Sequence, residues 1–380
     1  MSDRPFTSRL APTLAIAALV ALAVALGVWR LRRVAPETAP PEGAHGQSAR
    51  DPAPVDAAAD AASALPKPKR PDDDQPKTLG AQRERTYGRM RDELGLDAAT
   101  MEKVRAIVDK NKVISEGNPE VSTHPMRRGE CWEARDRAGL HEAEALVKLE
   151  VNQKLCGARH MVPVFGKDRS QRAELCIDQY EFPNMPCEYP MVYPSAQEAA
   201  QLCVAVGKRL CDAHEWEGAC AGELRRAEDE YLWTRPRRVE MEFFKNEKRE
   251  KIWAYGPEKN HRMCATGSTK SPKCNGGGWE TCGTNSYPAG AFPECVSPFG
   301  VFDQHGNAAE HMNLPMKAEE LGKRGGLGET EMKGSWFIFA RGEAHEDDCR
   351  WRAPAWHATR VDYWNSHRNY HLGFRCCRDL

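Results

Sequence analysis

The chain has 380 residues, enough for one large domain or two small ones. Its 54 Lys+Arg are balanced by 55 Asp+Glu, which argues against a dedicated nucleic-acid binder or any other polyelectrolyte partner. The 30 Gly, 26 Pro and 10 Trp exclude a regular helix bundle; the 14 Cys, all beyond residue 130 and without paired CxxC knuckles, favour disulfides in an oxidising compartment over zinc.

Residues 1–33 read as an N-terminal membrane anchor. Leu10 to Trp29 is an apolar run about long enough to span a bilayer, and Arg30, Arg32 and Arg33 follow it. Ala23-Val24-Ala25 offers a small-x-small cleavage pattern, but the run continues through Trp29, which favours an uncleaved signal anchor. Arg4 and Arg9 precede the span and three Arg follow it, so charge alone places the C-terminal part in the cytoplasm. The cysteine load outweighs that one-charge difference. The expectation is a membrane-anchored protein whose body is periplasmic or extracellular.

Residues 34–78 are rich in Ala, Pro and Asp and poor in large apolar side chains. Such a segment cannot bury enough surface to offset its ordering entropy, so it reads as a disordered linker. Residues 79–158 form a helical region. Leu79 to Lys110 holds two helical pieces: Met90 and Leu94 lie one turn apart on the first, and Asp97 caps the second, which carries Met101, Val104, Ile107 and Val108 as its apolar stripe. A free-standing pair of this size is marginal, so it is expected to dock on the domain that follows. Cys131 to Val151 reads as a further helix, with Leu140, Leu146, Val147 and Leu149 on or near one face.

Residues 159–380 make the globular domain. Glu174 to Phe182 alternates like a strand. Ser195 caps a helix carrying Ala199, Leu202, Cys203 and Val206, which Gly207 ends, and Asp212 caps the next, with Trp216 and Cys220 one turn apart. Arg225 to Arg262 is charged and interrupted, as a surface insertion is. Cys264 to Cys295 contains four cysteines and reads as an irregular, stapled segment.

The stretch Pro298–Asn313, PFGVFDQHGNAAEHMN, organises the rest. Apolar pieces flank a polar knot, Asp303-Gln304-His305-Gly306-Asn307, in which Gly306 suits positive φ and Asn307 a turn. Asn307 and Glu310 sit one helical turn apart, and hard oxygen ligands at that spacing suit a structural Ca²⁺.

Around this stretch lie Gly207-Lys-Arg-Leu with Glu215-Trp-Glu217, then Lys333-Gly-Ser-Trp336, Cys349-Arg-Trp-Arg352 and Gly373-Phe-Arg-Cys376. In this order and spacing they resemble the formylglycine-generating enzyme (sulfatase-modifying factor) family, from about Cys176 to Leu380. The resemblance implies an α+β fold of the C-type-lectin-like type, with short helices, antiparallel strands and many loops. It also implies disulfides joining Cys203 to Cys376 and Cys220 to Cys349, with Cys377 an alternative to Cys376. The family's oxidase chemistry uses two cysteines that bind copper shortly after the Gly-Ser block, and soft thiolates suit Cu(I). Carried over, those positions are Ile338 and Glu343, so copper is not expected and no catalytic residue is assigned. Ser335 of the family's cleft is kept.

Trp336, Arg341, Trp356 and Arg368 belong to the same cleft by resemblance, and flat rings beside guanidinium forks suit a peptide or glycan partner. His345, His357, His367 and His371 read as surface or core histidines, because the iron ligands of sulfoxide-forming relatives come largely from an extra helical domain, and Leu79 to Lys110 has no histidine here. The reading is a membrane-anchored, extracytoplasmic binding or scaffold module with a catalytically degenerate version of this fold. The alternative is an active sulfatase-modifying oxidase or non-haem iron oxidoreductase.

Overall fold

The computed structural model describes residues 69–380 apart from 235–236, 275–277 and 356–357. The anchor, most of the linker and Trp356 lie outside the described residues. No helix among those described is long and apolar enough to cross a membrane.

Helices α1 (Leu79–Leu94) and α2 (Ala98–Val108) stand where the sequence puts them. Thr78 caps the first, and the Asp97 carboxylate accepts the Thr100 amide 2.7 Å away at the start of the second. Both dock on their own domain. Tyr87, Met90, Val104 and Val108 share a buried cluster with Phe182, Ala199, Leu202 and Phe374. That burial supplies what isolated helix propensity lacks.

The single helix expected over Cys131–Val151 is instead two, α3 (Arg128–Arg137) and α4 (Ala143–Cys156). Gly139, at φ +72°, turns the chain between them. Leu140 thereby leaves any helical face and packs beside Tyr180, Ala289 and Phe302. Helix α4 buries little of its apolar surface: Leu146, Val147 and Leu149 are half-buried, and Val151 is 57% exposed.

Strands β1 (Met161–Val164) and β2 (Leu175–Asp178) open a four-stranded antiparallel sheet of order β1-β2-β7-β3, completed by β3 (Arg209–Leu210) and β7 (Cys376–Asp379). The C-terminal strand therefore lies inside the sheet. A second sheet, β5-β4-β6, joins β4 (Ala309–Leu314) antiparallel to β5 (Glu329–Lys333) and parallel to β6 (Leu372–Phe374). Helix α5 (Ala196–Ala205) starts at Ser195 with a capping box closed by Glu198, and α6 (Ala213–Ala221) starts at Asp212 with one closed by Glu215. The class is α+β.

The segment 225–262 is not a surface insertion. Tyr231 and Met241, the latter on the helix Arg238–Lys248, lie in the main core with Trp216, Ile177 and Met312. The charges of the segment go in with them because they are matched. Arg238 reaches Glu331 at 2.9 Å, and Lys245 meets Glu217 at 3.1 Å. Glu217 also holds Lys333 at 2.5 Å and Arg352 at 2.9 Å, so one carboxylate serves three cations, two of them fully buried. Charges excluded from water are tolerable only when paired in this way.

All fourteen cysteines form disulfides. Cys203 is joined to Cys376 and Cys220 to Cys349. Cys377 takes Cys211 rather than standing in for its neighbour. The expected stapling of 264–295 is Cys264–Cys295 enclosing Cys274–Cys282. Seven disulfides suit an oxidising or extracellular compartment.

Candidate functional site

The polar knot is fully buried, and its conformation is specified residue by residue. Asp303, Gly306 and Asn307 all have positive φ. A Cβ on Gly306 would lie 2.6 Å from the Ala265 carbonyl oxygen, so only glycine fits there. The Asn307 side chain accepts the Tyr287 amide at 2.8 Å and donates to Glu181 at 2.7 Å, while Gln304 donates to the Trp216 carbonyl at 3.0 Å. The knot thus ties α6, the 265 and 287 loops and β4 to one point.

From that point the chain places the Gly334-Ser335 block. The Gly306 amide donates to Ser335 Oγ at 2.9 Å, and the Ser335 hydroxyl donates to Asp347 Oδ2 at 3.0 Å. The Trp253 indole donates to Asp347 Oδ1 at 3.0 Å, His261 Nε2 stands 3.4 Å from Oδ2, and His305 Nδ1 is 3.9 Å from it. Burial works against charge on Asp347, but His261, His305 and Trp253 outweigh it and hold the carboxyl well below the usual carboxylate range. Burial also pushes His305 down to about 4, against the pull of Asp347, so its ring is neutral at pH 7. Its Nε2 accepts the Ala254 amide at 3.0 Å and lies 3.3 Å from Cys220 Sγ of the Cys220–Cys349 disulfide.

Over this buried carboxylate lies an aromatic rim. Trp336 is half-buried and stacks on His371, ring centroids 4.7 Å apart; Phe339 meets it edge-on at 5.5 Å. His345 stacks on Trp351 at 4.6 Å and tilts against Trp336 at 5.3 Å. Trp336 Nε1 has no hydrogen-bond partner among the described residues. Arg341 is exposed and donates to the Gly267 carbonyl at 3.2 Å. Trp336 and Arg341 thus lie on one loop, with Ser335 buried beneath it. Arg368 turns elsewhere, toward Glu198 at 3.7 Å, the carboxylate that closes the α5 capping box.

The two thiolate positions lie on the same loop and do not fit copper. Ile338 has no donor atom and packs against the cluster of Tyr287, Phe337 and Tyr370. Glu343 is a hard ligand, exposed and shared between Lys259 at 2.6 Å and His261 at 3.4 Å. No free thiol remains to substitute. Among the described residues, the groups of three ligand-type side chains close enough for one ion are Cys220/His305/Cys349 and Cys211/Glu215/Cys377; in each, both cysteines are joined in a disulfide.

The calcium expectation rested on a helix, and the chain from Ala309 to Leu314 is a strand. Asn307 and Glu310 are therefore not one helical turn apart. The Glu310 carboxylate is clamped by Arg375 at 2.6 and 2.7 Å and takes the Trp216 indole at 2.9 Å. The Arg375 guanidinium is thus a cation on Glu310, and the Asn307 oxygen accepts the Tyr287 amide. Sequence reasoning also missed Asp347, His261 and Trp253. The available signal was position: Asp347 stands two residues before Cys349, and the disulfide pins that segment beside α6.

Residues 151–380 match the Sulfatase-modifying factor enzyme 1-like domain. A search of curated proteins finds no match. Among solved structures the chain is similar to one titled Crystal Structure of CarF, at 11% identity and TM-score 0.32 over 57% of this chain and 93% of that one. It is also similar to PvdO from Pseudomonas aeruginosa, at 14% identity and TM-score 0.29 over 58% of this chain and 90% of that one. A third likeness is to the Major Tropism Determinant I1 variant, at 13% identity and TM-score 0.27, covering 58% of this chain and 55% of that one.

Proposed function

Because the chain belongs to the sulfatase-modifying factor family through residues 151–380, we propose that it is a binding member of that family, one that grips a peptide or glycan at the Trp336 rim and performs no copper-dependent oxidation of cysteine. One observation carries the reading. The loop that would present two thiolates presents Ile338 and Glu343, and every cysteine of the chain is in a disulfide. Cu(I) then has no soft ligand pair at the rim.

What remains there is suited to recognition. A half-buried indole stands between two imidazoles, with Arg341 and Lys259 at hand. A flat ring supplies contact area to a sugar face or a peptide side chain. The buried Asp347 fixes Ser335 and His261 beneath the rim rather than acting on a substrate, since its oxygens are taken by protein donors. In this reading the body works outside the cytosol, held to a membrane by residues 1–33.

The test has two arms on the full chain. A sulfatase-type CxPxR peptide is incubated with the protein, copper and oxygen, then weighed by mass spectrometry; conversion of its cysteine to an aldehyde would overturn the reading. Peptide and glycan arrays are probed with wild type and Trp336→Ala. A ligand held by the wild type and lost with the indole supports recognition at this rim.

A further inference from the structure

Helix α3 carries two buried arginines two turns apart, and they are treated differently. Arg128 lies between the carboxylates of Glu116 and Glu188. Arg135, 4% exposed, has no carboxylate within 4.0 Å among the described residues. The other buried arginines (Arg83, Arg128, Arg238, Arg350, Arg352 and Arg375) each have one. Arg135 donates to the Gly290 carbonyl at 3.2 Å and to the Tyr180 hydroxyl at 2.5 Å, and its Nε has no partner. The guanidinium also lies 5.1 Å from the Tyr180 ring centre and 5.0 Å from that of Phe302. Asp303 is the buried acid nearby, but it lies beyond ion-pair distance and its Oδ2 accepts the Gly290 amide.

Arg135 lines a cavity of about 430 Å³ between α4 and the loops that carry Tyr180, Val296 and Phe302. This is a usual size for a small-molecule site. One wall is apolar, built from Leu140, Leu146, Leu149, Val296, Phe299 and Phe302. The charged groups on the lining are Arg135, Lys69, Lys148 and Arg159 against a single acid, Glu93. Glu93 is already engaged by His160 Nε2 at 3.0 Å. The cavity shares no lining residue with the Trp336 rim.

A buried cation with no counter-ion in contact keeps part of its desolvation cost, although Asp303 feels its charge, and the six paired arginines show how this chain meets that cost elsewhere. We propose that the cavity is a binding site for a small amphiphilic carboxylate, whose anionic head pairs with Arg135 and whose apolar body lies against Leu146, Leu149 and Phe302. The half-exposed apolar face of α4 is the outer wall of that site. Arg135 is held in place: a Cβ at Gly290 would lie 2.3 Å from its Nη1, so glycine at that position, φ +73°, makes room for the guanidinium.

The experiment titrates the full chain in detergent with 4-phenylbutanoate and, separately, with 4-phenylbutanol, using calorimetry with blank micelles subtracted. A hydrogen-bonded charge is worth about 1.5–3 kcal/mol, so the acid is expected to bind at least about tenfold more tightly than the alcohol. Arg135→Gln is expected to erase that ratio. Ala145→Trp fills the cavity from α4 without touching the arginine and is expected to abolish binding of both probes at an unchanged Tm. Val151→Ser, on the same helix but off the lining, is expected to bind as wild type. Equal affinity for acid and alcohol, no heat from the acid up to its solubility, or unchanged binding in Ala145→Trp would each overturn the proposal. If Arg135→Gln does not fold, the acid-to-alcohol ratio and the Ala145→Trp variant still decide it.

Discussion

Glu217→Gln removes one negative charge and almost no volume, which makes it a sharp probe of the buried network. In the wild type the carboxylate holds Lys333, Arg352 and Lys245 at 2.5, 2.9 and 3.1 Å. After the change Lys333 keeps Glu331 at 3.8 Å and Lys245 keeps Glu230, but Arg352 has no other carboxylate within 4.0 Å among the described residues. Breaking a buried pair while leaving its partner behind costs about 3–5 kcal/mol. At about 2–3 °C per kcal/mol, that is a fall in Tm of roughly 6–15 °C. Differential scanning calorimetry of the oxidised protein measures it. Adding Arg352→Met should regain roughly half the loss, because removing the stranded charge is often nearly neutral. A single-variant loss below about 1 kcal/mol, or no recovery in the double variant, would refute the view that Glu217 is the common counter-ion. The pH dependence follows in sign. The three cations outweigh burial and hold the Glu217 carboxyl well below its ordinary value of 4.5, so its contribution is whole above that pH and is lost as pH falls toward the depressed value.

Histidines give a second acid sensitivity at higher pH. Burial pushes His124, His214 and His305 each down to about 4 from the ordinary 6.5. The unfolded chain therefore takes up protons first, and stability falls from about pH 6.5 downward by up to about 1.4 kcal/mol per pH unit for each ring. Urea titrations at pH 7.5, 6 and 5 read this, and a flat profile over that window would contradict it. For calcium, the strand geometry of Ala309–Leu314 leads us to expect the same Tm with and without EDTA. A fall on chelation that disappears in Glu310→Ala would restore the ion.

Legibility divided along physical lines. Local features were readable: the caps at Ser195, Asp212 and Asp97 announce themselves through side-chain type and a carboxylate or amide three residues on. The fold class was readable because four motif blocks stand in register. The break at Gly139 was not, since apolar spacing runs across it and only the positive φ shows the turn. The burial of 225–262 was missed because charge alone reads as surface, and the counter-charges at Glu217 and Glu331 come from distant parts of the chain. Asp347, His261 and Arg135 were invisible for the same reason: each gets its meaning from partners more than 40 residues away, namely Trp253 at 94, Asp347 at 86 and Tyr180 at 45 residues' separation.

The last strand has a consequence for how the molecule is made. β7 is an interior strand, hydrogen-bonded to β2 on one edge and β3 on the other, and its adjacent residues Cys376 and Cys377 are bonded to Cys203 and Cys211. Those two partners emerge from the ribosome some 170 residues before the pair that completes them, at separations of 173 and 166. Vectorial folding can therefore finish the outer helices early but cannot close the sheet until Cys376–Asp379 arrive. Until then two thiols wait beside ten other cysteines, so a chain cut before Cys376 should yield scrambled, isomerase-dependent species rather than a shortened native protein.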